Sequence, residues 1–264
     1  MPLVHIDEEQ PEAEIDEAFD RLLEEGRDRL ERPLWTLVPT GLLGGIDVGV
    51  GILAYLVVKH ETDSQLLAAL AFSVGFVALL LAQSELFTEN FLVPVTTAVA
   101  EKGNWGRLLR LWAVTLVTNI AGGALVIWVI LVARPDLAEV TRETGEHYAE
   151  LGVNLRSLML AVLGGLVITL MTRMQNSTDS VGVKIVPAVL LSAVLVGAEL
   201  FHAVLDQILI IGAIIAGSDI TLGQLVTALV WASFGNIVGG VGFVTFLRLV
   251  RSAPKVERER SATT

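Results

Sequence analysis

The side chains best placed to do chemistry in this chain are ionisable groups set inside long apolar runs. Glu85 and Glu89 lie in SELFTEN (84–90), Glu199 and His202 lie in AELFH (198–202) with Asp206 just beyond, and Asp47 lies in an earlier run. A carboxyl or imidazole in hydrocarbon is costly, so each must be neutral, paired, turned away, or beside a water-filled path. An imidazole can also trade protons near neutrality, because its unperturbed pKa is about 6.5. The chain has no cysteine, which removes disulfides and thiolate metal sites. It also has no nucleotide motif, metal-ligand cluster, nucleophile–base arrangement or Asn-Pro-Ala signature, so neither an enzyme nor a cofactor is expected.

These stretches belong to a set of matched anchors. SELFTEN is followed by TNIAGG (118–123), AELFH by GNIVGG (235–240), and the two are preceded by Leu43-Gly44-Gly45 and Leu163-Gly164-Gly165. Glu85 to Asn119 spans 34 residues and Glu199 to Asn236 spans 37. Three anchors in one order at similar spacing predict an internal duplication.

The elements that must carry the anchors are membrane helices. Hydrophobic residues make up 53% of the chain and the mean hydropathy is +0.66. Six segments are predicted, at 34–58, 65–100, 107–133, 153–174, 181–216 and 222–250. The second and fifth far exceed the ~20 residues one helix needs to cross. Each reads as two half-helices joined by a non-helical bend, with Pro94 and Pro187 near the bends. With the N-terminus inside, fourteen of the eighteen Lys and Arg fall on the inner side, so both termini are expected to be cytoplasmic and the chain to sit in the plasma or inner membrane. A half with three spans is odd, so the second copy crosses in the opposite sense and the repeat is inverted.

Three regions follow: an acidic tail (1–33), a six-span domain (34–252) and a polar C-terminal tail (253–264). Net charge is −11, and residues 1–33 hold 12 acidic and 4 basic residues. Such a tail attracts neither nucleic acid nor acidic lipid. Within it Ile15, Phe19, Leu22, Leu23 and Leu30 recur at helical spacing, which predicts an amphipathic helix ending near Pro33. It either packs on the base of its own protein or a neighbouring subunit, or serves a partner or a gate. Gly41, Gly45 and Gly49, and again Gly235 and Gly239, recur every fourth residue and let helices approach closely. Asn119 and Asn236 are placed to satisfy backbone groups freed at a break. A broken helix leaves amides that favour an anion or a carboxylate, so Glu85 and Glu199 read as staples of the bends or as proton carriers. His202 and Asp206 are four apart and share a helical face on which they can pair.

From Phe72 to Val95, FSVGFVALLLAQSELFTENFLVPV, together with the histidine after the second ELF, GNIVGG and the 3+3 layout, the chain resembles the formate/nitrite transporter family over residues 34–250. TENxxxPV after LF is similar to a divergent branch of that family. The resemblance implies a homopentamer in the lipid bilayer. Each protomer would have its own aquaporin-like pore for a small monovalent weak-acid permeant, such as formate, nitrite, hydrosulfide or a short carboxylate. It also implies site roles. Leu86, Phe87 and Thr88 fall on the inner constriction, Phe72 and Phe76 on the outer one, and His202 on the central pore histidine. Glu85 matches an acidic position of the first bend, and Glu199 that of the second with a two-residue shift, since the family places Glu directly before His.

An apolar constriction penalises an anion far more than its neutral acid, so His202 is expected to lend a proton to the entering anion. A histidine hydrogen-bonded in the bundle without proton traffic is the plainer alternative. Asp47, Glu89 and Asp206 would repel an anion if ionised, and are modifiers of the path. The family's lysine before the fourth span has no counterpart in GEHYAELGVNLRSLMLAVLGG; Ala149 and Gly165 align near that lysine and the asparagine that follows it, with Arg156 and Asn154 as substitutes. A pore for a neutral or cationic solute, and a non-transporting scaffold or sensor whose tail recruits a partner, therefore stay open.

Overall fold

The computed structural model describes residues 9–262 apart from 102, with side chains from 19 to 261. The side chain of Ile15, the whole of Lys102 and the last two residues lie outside the described part. Among the described residues the secondary structure is helical throughout. α1 (Glu9–Glu31) precedes the spans α2 (Leu34–Thr62), α3 (Gln65–Ala82) with α4 (Val93–Ala100), and α5 (Trp105–Ala133). α6 (Ala138–Ala149) precedes α7 (Leu155–Gln175), α8 (Val181–Gly197) with α9 (Leu205–Ile215), and α10 (Leu222–Ile237). The last span continues through a π-helical stretch, Val238–Thr245, into α11 (Phe246–Arg251), and α12 (Ala253–Ala262) follows. Spans four and six begin on capping boxes, Asn154 with Ser157 and Thr221 with Gln224, which satisfy amides that the helix itself leaves free.

The breaks are lopsided. At 18 and 17 residues, α3 and α8 rise about 27 and 25 Å, nearly a full crossing each, whereas α4 and α9 are short. The chain leaves α3 beside α1, dips inward through the 3₁₀ turn Phe87–Phe91, and returns in α4, whose Thr97 lies against Gly26 of α1. α8 and α9 form the inverted counterpart. Pro94 is in the first turn of α4, where a missing N–H costs nothing. Pro187 is inside α8 rather than at its break, so the second interruption owes nothing to proline.

The inverted repeat extends further than the six spans. Gly26 of α1 abuts Val93 and Thr97 of α4, and Gly145 of α6 abuts Leu209 and Ala213 of α9. α1 and α6 are thus equivalent members of two four-part units. α1 is docked on its own protomer: Phe19, Leu22, Leu23 and Leu30 are buried against α4, α5 and Val256 of α12. α6 is short and polar, and the sequence reading did not anticipate it.

Candidate functional site

Two asparagines fix both breaks in the same way. Asn119 Nδ2 donates to the carbonyls of Gly41 and Glu85 at 2.8 Å each, and its Oδ1 accepts from the Phe87 amide at 2.9 Å. Asn236 Nδ2 donates to the carbonyls of Ala161 (2.7 Å) and Phe201 (2.8 Å), and its Oδ1 accepts from the Ala203 amide at 2.9 Å. Glycine lets the helices close on these residues: a Cβ on Gly45 or Gly165 would strike the Asn119 or Asn236 carbonyl oxygen.

These bonds correct the register of the repeat. The two ELF triplets are not equivalent. Glu85 corresponds to Phe201 and Phe87 to Ala203, which puts Leu86 opposite His202 and Asn90 opposite Asp206. Gln83 and Glu199, both left-handed at φ 55° and 49°, end α3 and α8 alike. In the corrected register the bend-to-asparagine separations are 34 and 35 residues.

The loops meet at a buried contact, Thr88 Oγ1 to His202 Nε2 at 2.8 Å, with neither residue exposed. His202 Nδ1 accepts from the amides of Val204 (3.3 Å) and Leu205 (3.1 Å) at the start of α9. With Nδ1 an acceptor, the bonding assigns the ring proton to Nε2, which donates to Thr88. Asp206 does not pair with the His202 ring; its Oδ2 accepts from the His202 backbone amide, and its Oδ1 has no partner among the described residues. Leu86, two residues before Thr88 in the same loop, is buried. Phe72 and Phe76, also buried with ring centroids 5.6 Å apart, lie on α3. The Phe87 ring is turned edge-on to Phe91 and Trp112.

A cavity opens on each side. On the face carrying α1, about 400 Å³ is walled by Arg29 and Arg32, the bend with Glu85, Glu89, and parts of α7 and α8. On the opposite face, about 330 Å³ is walled by Tyr148, Ala149, Phe201 and the start of α10. Asn154 is committed to capping α7, Arg156 is exposed, and Gly165 is packed on Asn236, so none of the three lines that cavity. Asp47 is half-buried on α2 with Oδ2 unbonded.

The bend glutamates do not staple amides through their side chains. The buried Glu85 carboxylate is held by Arg29 (3.3 Å) and Arg32 of α1, and Arg29 also bonds Asn90 Oδ1 (3.1 Å) and Glu25 (2.6 Å). Burial alone would push the Arg29 guanidinium down, but its partners Glu85 and Glu25 hold it above its ordinary value. The Glu199 side chain is 53% exposed, and His147 Nε2 lies 4.0 Å from its carboxyl. At the place where Arg29 meets Glu85, the second unit stacks Tyr148 on Phe201, centroids 6.3 Å apart. Arg29, Arg32 and Tyr148 went unsingled in the sequence, although charge complementarity to a bend glutamate was a usable signal. Glu85→Gln is expected to cost about 1–3 kcal/mol, confined to α1, because two guanidiniums lose their shared carboxylate. Faster hydrogen exchange of α1 with unchanged spans checks it; unchanged α1 exchange would refute it.

Two oppositely oriented helical units, whose interrupted spans meet over a buried polar contact between two cavities, define a channel-like membrane transporter. The formate/nitrite transporter family model matches residues 16–250, and the chain belongs to that family. The inner membrane protein YfdC of Escherichia coli is 25% identical, covering 98% of this chain and 84% of its own. The formate channel BtFdhC of Bacillus thuringiensis is 25% identical over 85% of this chain and 90% of its own. A solved pentameric formate channel with formate bound shares the fold at TM-score 0.69, with 20% identity over 83% of this chain and 98% of that one. The protein is accordingly a multi-pass membrane transporter and not an enzyme.

Proposed function

We propose that each protomer conducts a small monovalent weak acid of the formate class across the membrane, in a homopentamer with both termini cytoplasmic. The observation that carries this is the Thr88–His202 hydrogen bond, a single polar station where the two loops meet between cavities. In this reading Leu86 forms the inner apolar constriction and Phe72 with Phe76 the outer one, which their complete burial supports. Buried apolar side chains at these points penalise an ion and admit its neutral acid. The pentamer is supported by the oligomeric state of the similar formate channel, and the orientation by the Lys and Arg count on the loops.

His202 serves here as a donor and positioning group. A second proton on Nδ1 would displace two α9 amides, so the ring directs the Thr88 hydroxyl and stays neutral. Asn119 and Asn236 hold the loops at their meeting point, and Asp47 and Asp206 modify the path's polarity.

Flux of labelled formate, acetate, ammonium and glycerol into proteoliposomes tests the reading. Formate is expected to enter faster than the other three and faster at lower pH. Ammonium or glycerol entering while formate does not would favour the cationic or neutral solute suggested by Glu89 and Asp206.

A further inference from the structure

We propose that the Glu89 carboxyl exchanges a proton with the permeant at the mouth of the path on the α1 face. The inference rests on the weak-acid reading above and names the group that makes the acid neutral. Glu89 is 8% exposed and sits in the 3₁₀ turn directly after Thr88. It lines the cavity of about 400 Å³, and its carboxyl makes no hydrogen bond or ion pair with any described residue. The other acidic groups of that wall differ. Glu85 is held by two guanidiniums, Glu25 by Arg29, and Asp28 is exposed.

The groups facing Glu89 are Glu25, Asp28, Arg29 and Arg32 from α1, Glu85 from the bend and Lys184 from α8. α7 contributes Thr172, Gln175 and Asn176 to the wall, none of which titrates. α4, α10 and the π-helical stretch carry no ionisable residue, and Arg110 of α5 is bound to the C-terminal carbonyls of Leu30 and Arg32. One further atom of the wall, Asn176 Nδ2, is buried without a partner among the described residues. Lys184 and Arg29 draw an anion in, this donor can take one of its oxygens, and Glu89 faces it as an acid. His202 is unavailable for this task because both its ring nitrogens are engaged.

In the step, the Glu89 O–H bond breaks as an O–H bond forms on the permeant oxygen. The neutral acid moves past Leu86 to Thr88. The Glu89 carboxylate left behind faces Arg29 and takes a proton from hydronium or a buffer acid reaching the cavity from the bulk, which leaves as water or as the buffer's conjugate base. No oxidant or other reactant is required.

The test compares labelled formate flux in proteoliposomes of the full-length wild type, Glu89→Gln and Glu89→Asp. Glu89→Gln is expected to lose about 10- to 100-fold near pH 7 and to approach wild type near pH 5, where solution supplies more of the neutral acid. Glu89→Asp retains a carboxyl and should restore most of the flux with a displaced pH profile. Equal flux for Glu89→Gln and wild type at both pH values overturns the proposal. So does an equal fractional loss at both, which marks a merely structural role. A wild type inactive towards formate at both pH values removes the weak-acid reading itself, and this inference with it. Should Glu89→Gln not fold, infrared spectra decide: the wild type must show a protonated-carboxyl band that formate bleaches and Glu89→Asp shifts, and its absence refutes the assignment.

Discussion

Asn236→Leu is expected to destabilise the protein by about 2–5 kcal/mol, because it strands the carbonyl of Phe201 and the amide of Ala203 in a buried site and removes the bond that ties the bend to the Ala161 carbonyl of α7. Leucine matches the size of asparagine and offers none of its bonds. The loss is larger than for an ordinary polar substitution since two of the three partners, Phe201 and Ala203, belong to backbone that has left regular helix. Thermal melting in detergent and the yield of assembled protein measure it, and Asn119→Leu should behave alike. A variant that melts within a degree or two of wild type would mean that the breaks are held by something else.

Thr88→Val is expected to reduce formate flux by about 10- to 100-fold, equivalent to about 1.4–2.7 kcal/mol, with a smaller loss of stability than Asn236→Leu because one buried donor is stranded. Valine keeps the shape and removes the hydroxyl, so His202 Nε2–H loses its described acceptor and the junction becomes apolar. Thr88→Ser should recover much of the rate. Full activity in the valine variant would take the Thr88–His202 contact out of the transport path.

The sequence revealed the architecture because its signals were large. Overlong apolar runs with polar centres, paired glycines and the Lys and Arg asymmetry led to an inverted 3+3 layout with two interrupted spans. Asn119 and Asn236 were legible from their place one turn before the glycine pairs. The register was not. Glu85, Leu86 and Phe87 look like Glu199, Leu200 and Phe201, but a non-helical loop is positioned by its backbone partners, and residues in equivalent positions need not be alike. The Asn-to-bend spacing, uneven at 34 and 37, was the available warning. The staple role given to the glutamates failed for a related reason. Glu85 lies where α1 can reach it with two arginines, and Glu199 lies where the second unit turns out to solvent. α6 escaped notice because twelve residues rich in Glu and Thr have no run of apolar residues to detect, although Val140 and Tyr148 are buried.

The equivalence of α1 and α6 has a bearing on ancestry. If each half is a complete unit of amphipathic helix plus three crossings, the parent was a polypeptide of about half this length. Its copies had to enter the bilayer both ways up, in equal numbers, to make one pore. Fusion removed that need for balanced dual insertion and freed the two mouths to diverge, one into an arginine–glutamate clasp and the other into a pair of stacked rings.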